Sequence, residues 1–554
     1  MNHWIETTAT LDLWQIAVAN LLLAGSMTAL VMALWGSFSN WRADRNLGAM
    51  CAVVGLAFVL RVLIAPKWMA TVFIGYKATQ QAIELFPLSH YGAGATVLYH
   101  HLLEVFGRDH LVIMWSNTVM GIMTIPLAMT FARRMTQSTR VGLVFGLLVA
   151  TAPLLIRNDT SDANNVPCLL WLFCGLTLLV RALEERDRWF LWWSCFPLAL
   201  AVVSRPEMIA IVGGGVFVTM VASPGTQDRR RWTIDALFFV PFLASAIPHW
   251  MHIWRATKAL HQGGNIKTVD SLWGHSEWGH SFFGLFRNNT LLEPSLLGVG
   301  TLIVALGGTV LLWRNHKRWL MGMWALVVVA FVVYSIDLDR ANMARAHAPA
   351  ALFCTLLAAH GLVEISSRWK RLWVVVVLAW ALVLGSNIPP LMTLWQPTNE
   401  QTEEELIREA LQRVEPSGFT LIRLNYPDTD RAVAAHGGHT HYHFPDYLFQ
   451  TEERRGRLVP ITAWMSENLG YEEYPTYFFR GVRCYAELGW EFDPPPSGRN
   501  EHPLCRAMLD REDIKPVFER TIPNYGNVWI NYYGDSPELV VGLYRVGPKQ
   551  DAPK

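Results

Sequence analysis

Long apolar runs recur along most of this chain, and six of the short stretches between them are crowded with Arg or Lys. A helix that crosses a bilayer needs about 20 apolar residues. Candidate spans fall at 11–35, 47–64, 111–131, 141–155, 166–180, 189–203, 208–221, 234–250, 296–313, 319–334, 348–365 and 372–388. The expected fold is therefore a polytopic α-helical membrane protein of about twelve spans. Several of these runs are short, so one or two are expected to be buried or broken helices. The least defined is the hairpin through Ser204-Arg205-Pro206-Glu207. Composition agrees: 52 % of the 554 residues are hydrophobic and 16 % are charged, against about 25 % charged in soluble proteins. The 25 Trp suit membrane interfaces. A net charge of +1 without a basic block excludes electrostatic nucleic-acid binding as a first reading.

The basic connections set an orientation. "WRADR" (41–45), "RRMTQSTR" (133–140), "RALEERDR" (181–188), "DRRRW" (228–232), "RNHKRW" (314–319) and "RWKR" (368–371) all fall on one side, which the positive-inside bias makes cytoplasmic. The amino terminus, the longer connections and the tail then lie outside. No basic segment precedes the first apolar run, so that run is expected to be an uncleaved anchor.

Two regions are expected: a multi-span membrane domain over 1–395, with interfacial helices in the first outer loop (65–110), and an extracytoplasmic α/β domain over 396–554. The shift to "QPTNEQTEEEL" (396–406) marks the boundary. Thr402 with Glu405 matches a capping box, and Leu406, Ile407, Ala410, Leu411 and Val414 share one helical face. Pro416-Ser417-Gly418 stops that helix. "FTLIRL" (419–424), "NVWINYYG" (527–534) and "LVVGLYRV" (539–546) have the composition of strands. Cys51, Cys168, Cys174, Cys195 and Cys354 lie in or beside spans and are expected to be buried, inert thiols. Cys484 and Cys505 lie in the tail, where an oxidising compartment permits a disulfide, although spacing does not establish that they meet.

The first outer loop is the leading site candidate. Lys67 and Lys77 follow Arg61. "GYKATQQAIELF" (75–86) has helical spacing, with Ile83 and Phe86 expected toward lipid, and "ATVLYHHLLEVFG" (95–107) is helix-like. Between them lies "PLSHYGAG" (87–94), whose glycines allow close approach to a ligand or another helix. His90 and Tyr91 are either site residues or parts of a turn. "RNDTSDANNVP" (157–167) holds Asp159 and Asp162, either solvated or serving a pocket as metal ligands or structural acids; Asp162 precedes a helix start, where an anion gains about 0.3–1 kcal/mol. Arg205 and Glu207 sit among apolar residues and either pair or snorkel. "IDLDRANMARAHAP" (336–349) places Arg345 at an outer edge, where Arg can hold a phosphate.

In the other long outer connection, "WGHS" occurs at 273–276 and again at 278–281, a pattern suited to interfacial packing. All but His316 and His360 of the 18 His fall in or beside outer segments. "HGGHTHYHF" (436–444) contributes His436, His439, His441 and His443. The last three would share one face of a strand and offer nitrogen ligands to a metal, or pack against the membrane domain. No GxxxxGK[ST], GxSxG or HExxH pattern occurs, so ATP-driven transport and the corresponding hydrolases are unsupported.

In this order the elements resemble the GT-C glycosyltransferases, specifically the bacterial protein mannosyltransferase and aminoarabinose transferase type. The likeness covers about 45–390: a span ending in Arg61, a long outer loop, "PLSHYGAGATVLY" where relatives carry "PPL", then "SDANNVP", "SRPEM" (204–208) and "ARAHAPA" (344–350). The resemblance implies an integral protein of the bacterial inner membrane. It would take a sugar from a polyprenyl-phosphate donor, among membrane lipids, and pass it with inversion to an extracytoplasmic glycan, lipid or protein acceptor. Relatives carry an acid soon after the Arg61 span, which activates the acceptor or helps bind a divalent cation; here 65–81 contains none. Catalysis would then fall to His90 as general base, with Glu84 as a substitute base and Asp162 orienting His90 or holding a cation. Lys67, Lys77, Tyr91, Arg205 and Arg345 would bind the substrate phosphate. The alternatives are a non-catalytic glycolipid-binding or assembly subunit of the same fold and a lipid or solute transporter. A transporter would predict duplicated halves, which the sequence does not display.

Overall fold

A computed structural model of the chain describes residues 11–67, 76–85, 92–205, 208–222, 239–245, 247, 298–335, 348–369, 373–395, 397, 399–424, 444–451, 453–466, 474–485, 501–525 and 536–547. The apolar runs are helices. In chain order these are α1 (Leu13–Ala43), α2 (Leu47–Phe58), α3 (Lys77–Glu84), α4 (Ala93–Phe106), α5 (His110–Thr136), α6 (Thr139–Thr151), α7 (Pro153–Asp159), α8 (Asn165–Glu185), α9 (Arg188–Ser204), α10 (Met208–Ala222), α11 (Phe239–Ala244), α12 (Val299–Ser335), α13 (Ala348–Arg368) and α14 (Trp373–Thr393). The interior of this part is apolar, with Trp171, Phe173, Leu172 and Phe353 buried from α8 and α13. Its outside is apolar too: Leu21, Val31, Trp35 and Val310 are exposed, as expected where the surrounding solvent is lipid rather than water.

Among the described residues, five helices are long and apolar enough to cross a membrane: α1, α2 with its continuation to Ile64, α5, α8 and α13. A sixth forms if the bent pair α6–α7 is one span. This is fewer than the expected twelve, and the differences have local causes. The expected span 141–155 breaks because Pro153 opens α7. Proline forces the preceding residue out of helical geometry; Ala152 is extended (φ −69°, ψ 119°), and the two helices meet at 63°. The expected spans 296–313 and 319–334 lie on one run, α12, kinked where His316 leaves helical geometry (φ −128°, ψ 25°). Helices α9 and α10 are apolar but have only 17 and 15 residues, and α14 is likewise among the shorter apolar helices. Of 234–250, α11 and a few neighbouring residues are described.

The tail follows a different plan. Helix α15 (Asn399–Arg413) leads into strand β1 (Phe419–Arg423). Next come the one-turn α16 (Asp446–Phe449), β2 (Gln450–Thr451), β3 (Arg454–Pro460), α17 (Ile461–Ser466), β4 (Thr476–Arg480), α18 (Pro503–Leu509), β5 (Ile514–Pro523) and β6 (Glu538–Val546). The sheet order is β2-β3-β1-β4-β6-β5. β1 runs parallel to β3 and β4, and β6 runs antiparallel to β4 and β5. Every residue of β1 and β4 is buried, the mark of central strands covered on both faces.

Helix α15 begins at Asn399, so Thr402 lies inside it and is not the expected cap; the polar residues Asn399-Glu400-Gln401 extend the helix upstream. The Asn399 side chain donates to Asn524 Oδ1 (2.8 Å) and accepts from the Tyr525 N–H (3.2 Å). The apolar stripe of α15 is as expected, with Leu406, Ile407, Ala410 and Val414 buried. Cys484 and Cys505 form a disulfide, their Cα atoms 5.9 Å apart. Cys168, Cys174, Cys195 and Cys354 are buried, whereas Cys51 is exposed on α2.

The tail core reaches into the first part of the chain. Tyr76 and Met114 are buried in it, and Ile83 packs against both cores, so Ile83 faces protein rather than lipid. Phe86 lies outside the described residues.

Candidate functional site

Nearly every residue of the polar stretch Arg157–Asn165 is buried. A loop of this composition ordinarily sits in water. Here the neighbouring helices satisfy it. Asn117, from the interior of α5, donates to Ser161 O (2.8 Å) and Ala163 O (3.2 Å) and accepts from the Tyr99 hydroxyl of α4 (2.7 Å). Thr118, one residue on, donates to Asp159 O (2.9 Å). The Ser161 hydroxyl closes the turn on Asn158 O (2.8 Å). Gly121 makes room for the acid: a Cβ there would lie 2.2 Å from Asp159 Cγ.

Arg61 enters from the other side. Helix α2 continues as a π-helix over Val59–Ile64, and such wide turns redirect side chains. The Arg61 guanidinium, with no exposed surface, donates to Asp159 Oδ2 (2.7 Å), Ala150 O (2.8 Å) and Val149 O (3.3 Å). It thus neutralises the buried carboxylate and satisfies carbonyls freed where α6 ends, just before Pro153. The Lys67 ammonium donates to Arg61 O and sits 4.5 Å from the centroid of the Trp115 ring. Burial and the Arg61 charge lower its pKa to about 8.

Arg205 closes the far side. Its guanidinium is buried and hydrogen-bonds Asn165 Oδ1 at the start of α8, so it does not snorkel outward; Glu207, its other expected partner, lies outside the described residues. The residues just before Arg205 meet the glycine tract. The Gly92 N–H donates to Ser204 O (3.0 Å). A Cβ on Gly92 would fall 1.7 Å from Val203 O, and one on Gly94 would fall 2.5 Å from Ser204 Oγ. The close approach expected of these glycines is to another helix.

Of the sequence-predicted residues, Asp159 and Asp162 lie on the buried turn, Lys67 contacts the Arg61 carbonyl and Arg205 contacts Asn165. Asp162 is buried near enough to Tyr99 for its charge to act on that hydroxyl. Glu84 stands apart, exposed near the end of α3 and accepting from Gln80. Lys77 opens α3. His90, Tyr91, Arg345, His436, His439, His441 and His443 lie outside the described residues. Arg61, Tyr99, Asn117 and Asn165 were not singled out as site residues. The available signal was polarity: Asn117 is an amide within an apolar run, and such residues in spans tend to be functional.

Among the described residues, the turn and its supports bury Arg61, Arg157 and Arg205 together with Asp159 and Asp162. Among the described residues no three His, Cys, Asp or Glu side chains group to hold a metal. Asp159, a predicted ligand, is engaged by Arg61.

Residues 95–252 match the family model described as dolichyl-phosphate-mannose-protein mannosyltransferase. No curated protein matches the chain. Among solved structures, the chain is similar to ArnT from Cupriavidus metallidurans bound to undecaprenyl phosphate, at 13 % identity and a TM-score of 0.47, covering 78 % of this chain and 93 % of that one. It is also similar to the archaeal oligosaccharyltransferase AglB from Archaeoglobus fulgidus in complex with an inhibitory peptide and a dolichol-phosphate. That match has 12 % identity and a TM-score of 0.43, over 72 % of this chain and 64 % of that one.

Proposed function

We propose that the chain is a membrane glycosyltransferase of the GT-C type that moves a sugar from a polyprenyl-phosphate donor to an extracytoplasmic acceptor. The observation that carries this reading is the family match over 95–252. That segment contains Tyr99, Asn117, Asp159, Asp162, Asn165 and Arg205, the greater part of the buried polar cluster. The proposal includes a membrane domain over 1–395 and an extracytoplasmic domain over 396–554 in a bacterial inner membrane.

In the proposed reaction the acceptor oxygen forms a bond to the anomeric carbon. The bond from that carbon to the phosphate oxygen breaks, and its electron pair leaves with the polyprenyl phosphate. The acceptor proton passes to a base. His90 is the proposed base, with Glu84 as the substitute, and Asp162 orients the base from the buried turn. Lys67, Lys77, Tyr91, Arg205 and Arg345 are proposed to hold the phosphate, where negative charge develops. The buried Arg205 guanidinium at the start of α8 supports its part in that assignment.

A second reading has its own support. The chain has no acid over 65–81, and Asp159 is committed to Arg61, as expected of a glycolipid-binding or assembly subunit. One experiment separates the two. Purified protein in lipid nanodiscs is given a radiolabelled polyprenyl-phosphate sugar and an envelope extract as acceptor. The enzyme reading expects turnover that falls about 100-fold or more in His90→Ala and in Asp162→Asn. Saturable donor binding without turnover would select the binding subunit. Neither binding nor turnover would overturn both.

A further inference from the structure

Isolated helices shorter than about 12–15 residues are marginal in water. Helix α3 has eight residues, so its neighbours must hold it. Ala78 and Ala82, one turn apart, pack into the core of the helical part, whereas Tyr76, just ahead of α3, is buried in the core of the tail. Ile83 touches both cores. On the side of the helical part, His100 Nδ1 of α4 lies 2.8 Å from Ala82 O; a carbonyl only accepts, so the ring donates. On the side of the tail, the Tyr447 ring meets the Tyr76 ring edge-on, with centroids 6.4 Å apart. The Tyr447 hydroxyl lies beside that of Thr79 on α3. Both residues are buried, and among the described residues neither hydroxyl has another partner.

Tyr447 is firmly mounted. It follows Asp446 in the one-turn α16. The Asp446 carboxylate accepts two hydrogen bonds from Arg423 of the central strand β1, Nε to Oδ1 (3.0 Å) and NH2 to Oδ2 (2.6 Å). At its far end α3 runs into Leu85, which adopts the left-handed conformation (φ 51°, ψ 41°). A leucine holds that conformation only where its surroundings impose it. Residues 86–91, which include His90, begin there. Their other end is fixed separately, by the Gly92 N–H on Ser204 O (3.0 Å), next to Arg205. The near end of this connection therefore depends on the seating of α3, and one side of that seat belongs to the tail.

We propose that Tyr447 is a positioning residue: from the tail it holds α3, and through α3 it sets where the connection bearing His90 begins relative to Arg205 and the buried turn. The role in turnover rests on the glycosyltransferase reading; the hold on α3 does not.

Full-length protein in nanodiscs tests both parts, with Tyr447→Ala and Tyr447→Phe. Hydrogen exchange over 77–84 should rise about tenfold in Tyr447→Ala, the size of one lost aromatic contact, with 110–136 and 399–413 unchanged. In transfer from a radiolabelled polyprenyl-phosphate sugar to an envelope extract, kcat should fall about 10- to 100-fold, as for a displaced reacting group, with KM for the donor unchanged. Tyr447→Phe keeps the ring and should restore wild-type exchange and most of kcat. Tyr447→Leu fills the space without a ring and carries the test should Tyr447→Ala not fold. Unchanged exchange over 77–84 overturns the hold on α3. Raised exchange with unaltered kcat overturns the positioning role, as does a loss of kcat that Tyr447→Phe does not restore. A wild type without turnover fails the glycosyltransferase reading instead, and the exchange arm still decides the hold on α3.

Discussion

The pair of Arg61 and Asp159 offers the sharpest test of how the buried turn is held. The guanidinium has no exposed surface and makes three hydrogen bonds, one to the carboxylate and two to the carbonyls of Val149 and Ala150. Removing one partner of a buried pair strands the other charge, at about 3–5 kcal/mol. Arg61→Met should therefore destabilise by about 3–5 kcal/mol, and the two carbonyls left unpartnered put it at the upper end. Asp159→Leu should lose about as much by stranding the guanidinium.

The double variant strands neither charge. Its remaining loss is that of the carbonyls, about 1–3 kcal/mol. The singles should thus be non-additive by at least about 2 kcal/mol. Equilibrium unfolding in mixed micelles, followed by circular dichroism, measures each corner of the cycle. Singles within about 0.5 kcal/mol of wild type, or singles that simply add, would refute the argument, since either result means that the two groups do not compensate each other's burial.

Three further outcomes are expected. Lys67 should titrate near pH 8, well below the ordinary 10.5, as read by competitive amine labelling with peptide mapping. The unfolded chain holds this proton to higher pH than the folded one, so the Lys67 contribution to stability should rise as pH increases from about 8 toward 10.5; labelling in step with surface lysines would contradict the burial. Gly92→Ala should lower the yield of monodisperse protein sharply, because its Cβ would meet a backbone carbonyl at 1.7 Å and overpacking of this kind costs about 1–3 kcal/mol or more. Gly48→Ala on α2, with nothing within 4 Å of its Cβ, should instead raise thermal stability by about 0.5–1 kcal/mol.

Helices such as α8 and α13 were legible because lipid and protein interior demand the same thing, an apolar residue at nearly every position. Breaks were harder. Pro153 was visible in the run 141–155, yet whether a proline kinks or ends a span depends on what receives the freed carbonyls. Here that is Arg61, 89 positions from Ala150. The π-helix that presents Arg61 has no compositional mark. β1 was legible from its apolar run. β4, "TYFFR", is buried on both faces and lacks the alternation that marks a half-buried strand. The edge strand β5 carries Pro516 and Pro523, which disguise it. In the candidate site, polarity at span edges pointed to Lys67, Asp159, Asp162 and Arg205. The partners of the turn were not legible, because Arg61, Asn117 and Gly121 reach it from other helices.

The missing acid after Arg61 takes a different meaning once the two remaining carboxylates are compared. Asp159 and Asp162 are three residues apart in one buried turn, but they are held differently. Asp159 is gripped by Arg61, lies against Gly121, and neutralises a charge at the break between α6 and α7. Its electron pairs are occupied in holding that break, so its loss should appear first as instability. Asp162 lies just ahead of α8, whose first amides favour an anion by about 0.3–1 kcal/mol, and beside Tyr99. Anchored through Asn117, that tyrosine belongs to the helix that opens at the glycine tract. On the glycosyltransferase reading, the prediction is that Asp159→Asn lowers stability first and Asp162→Asn lowers turnover first, the one read by unfolding and the other by sugar transfer.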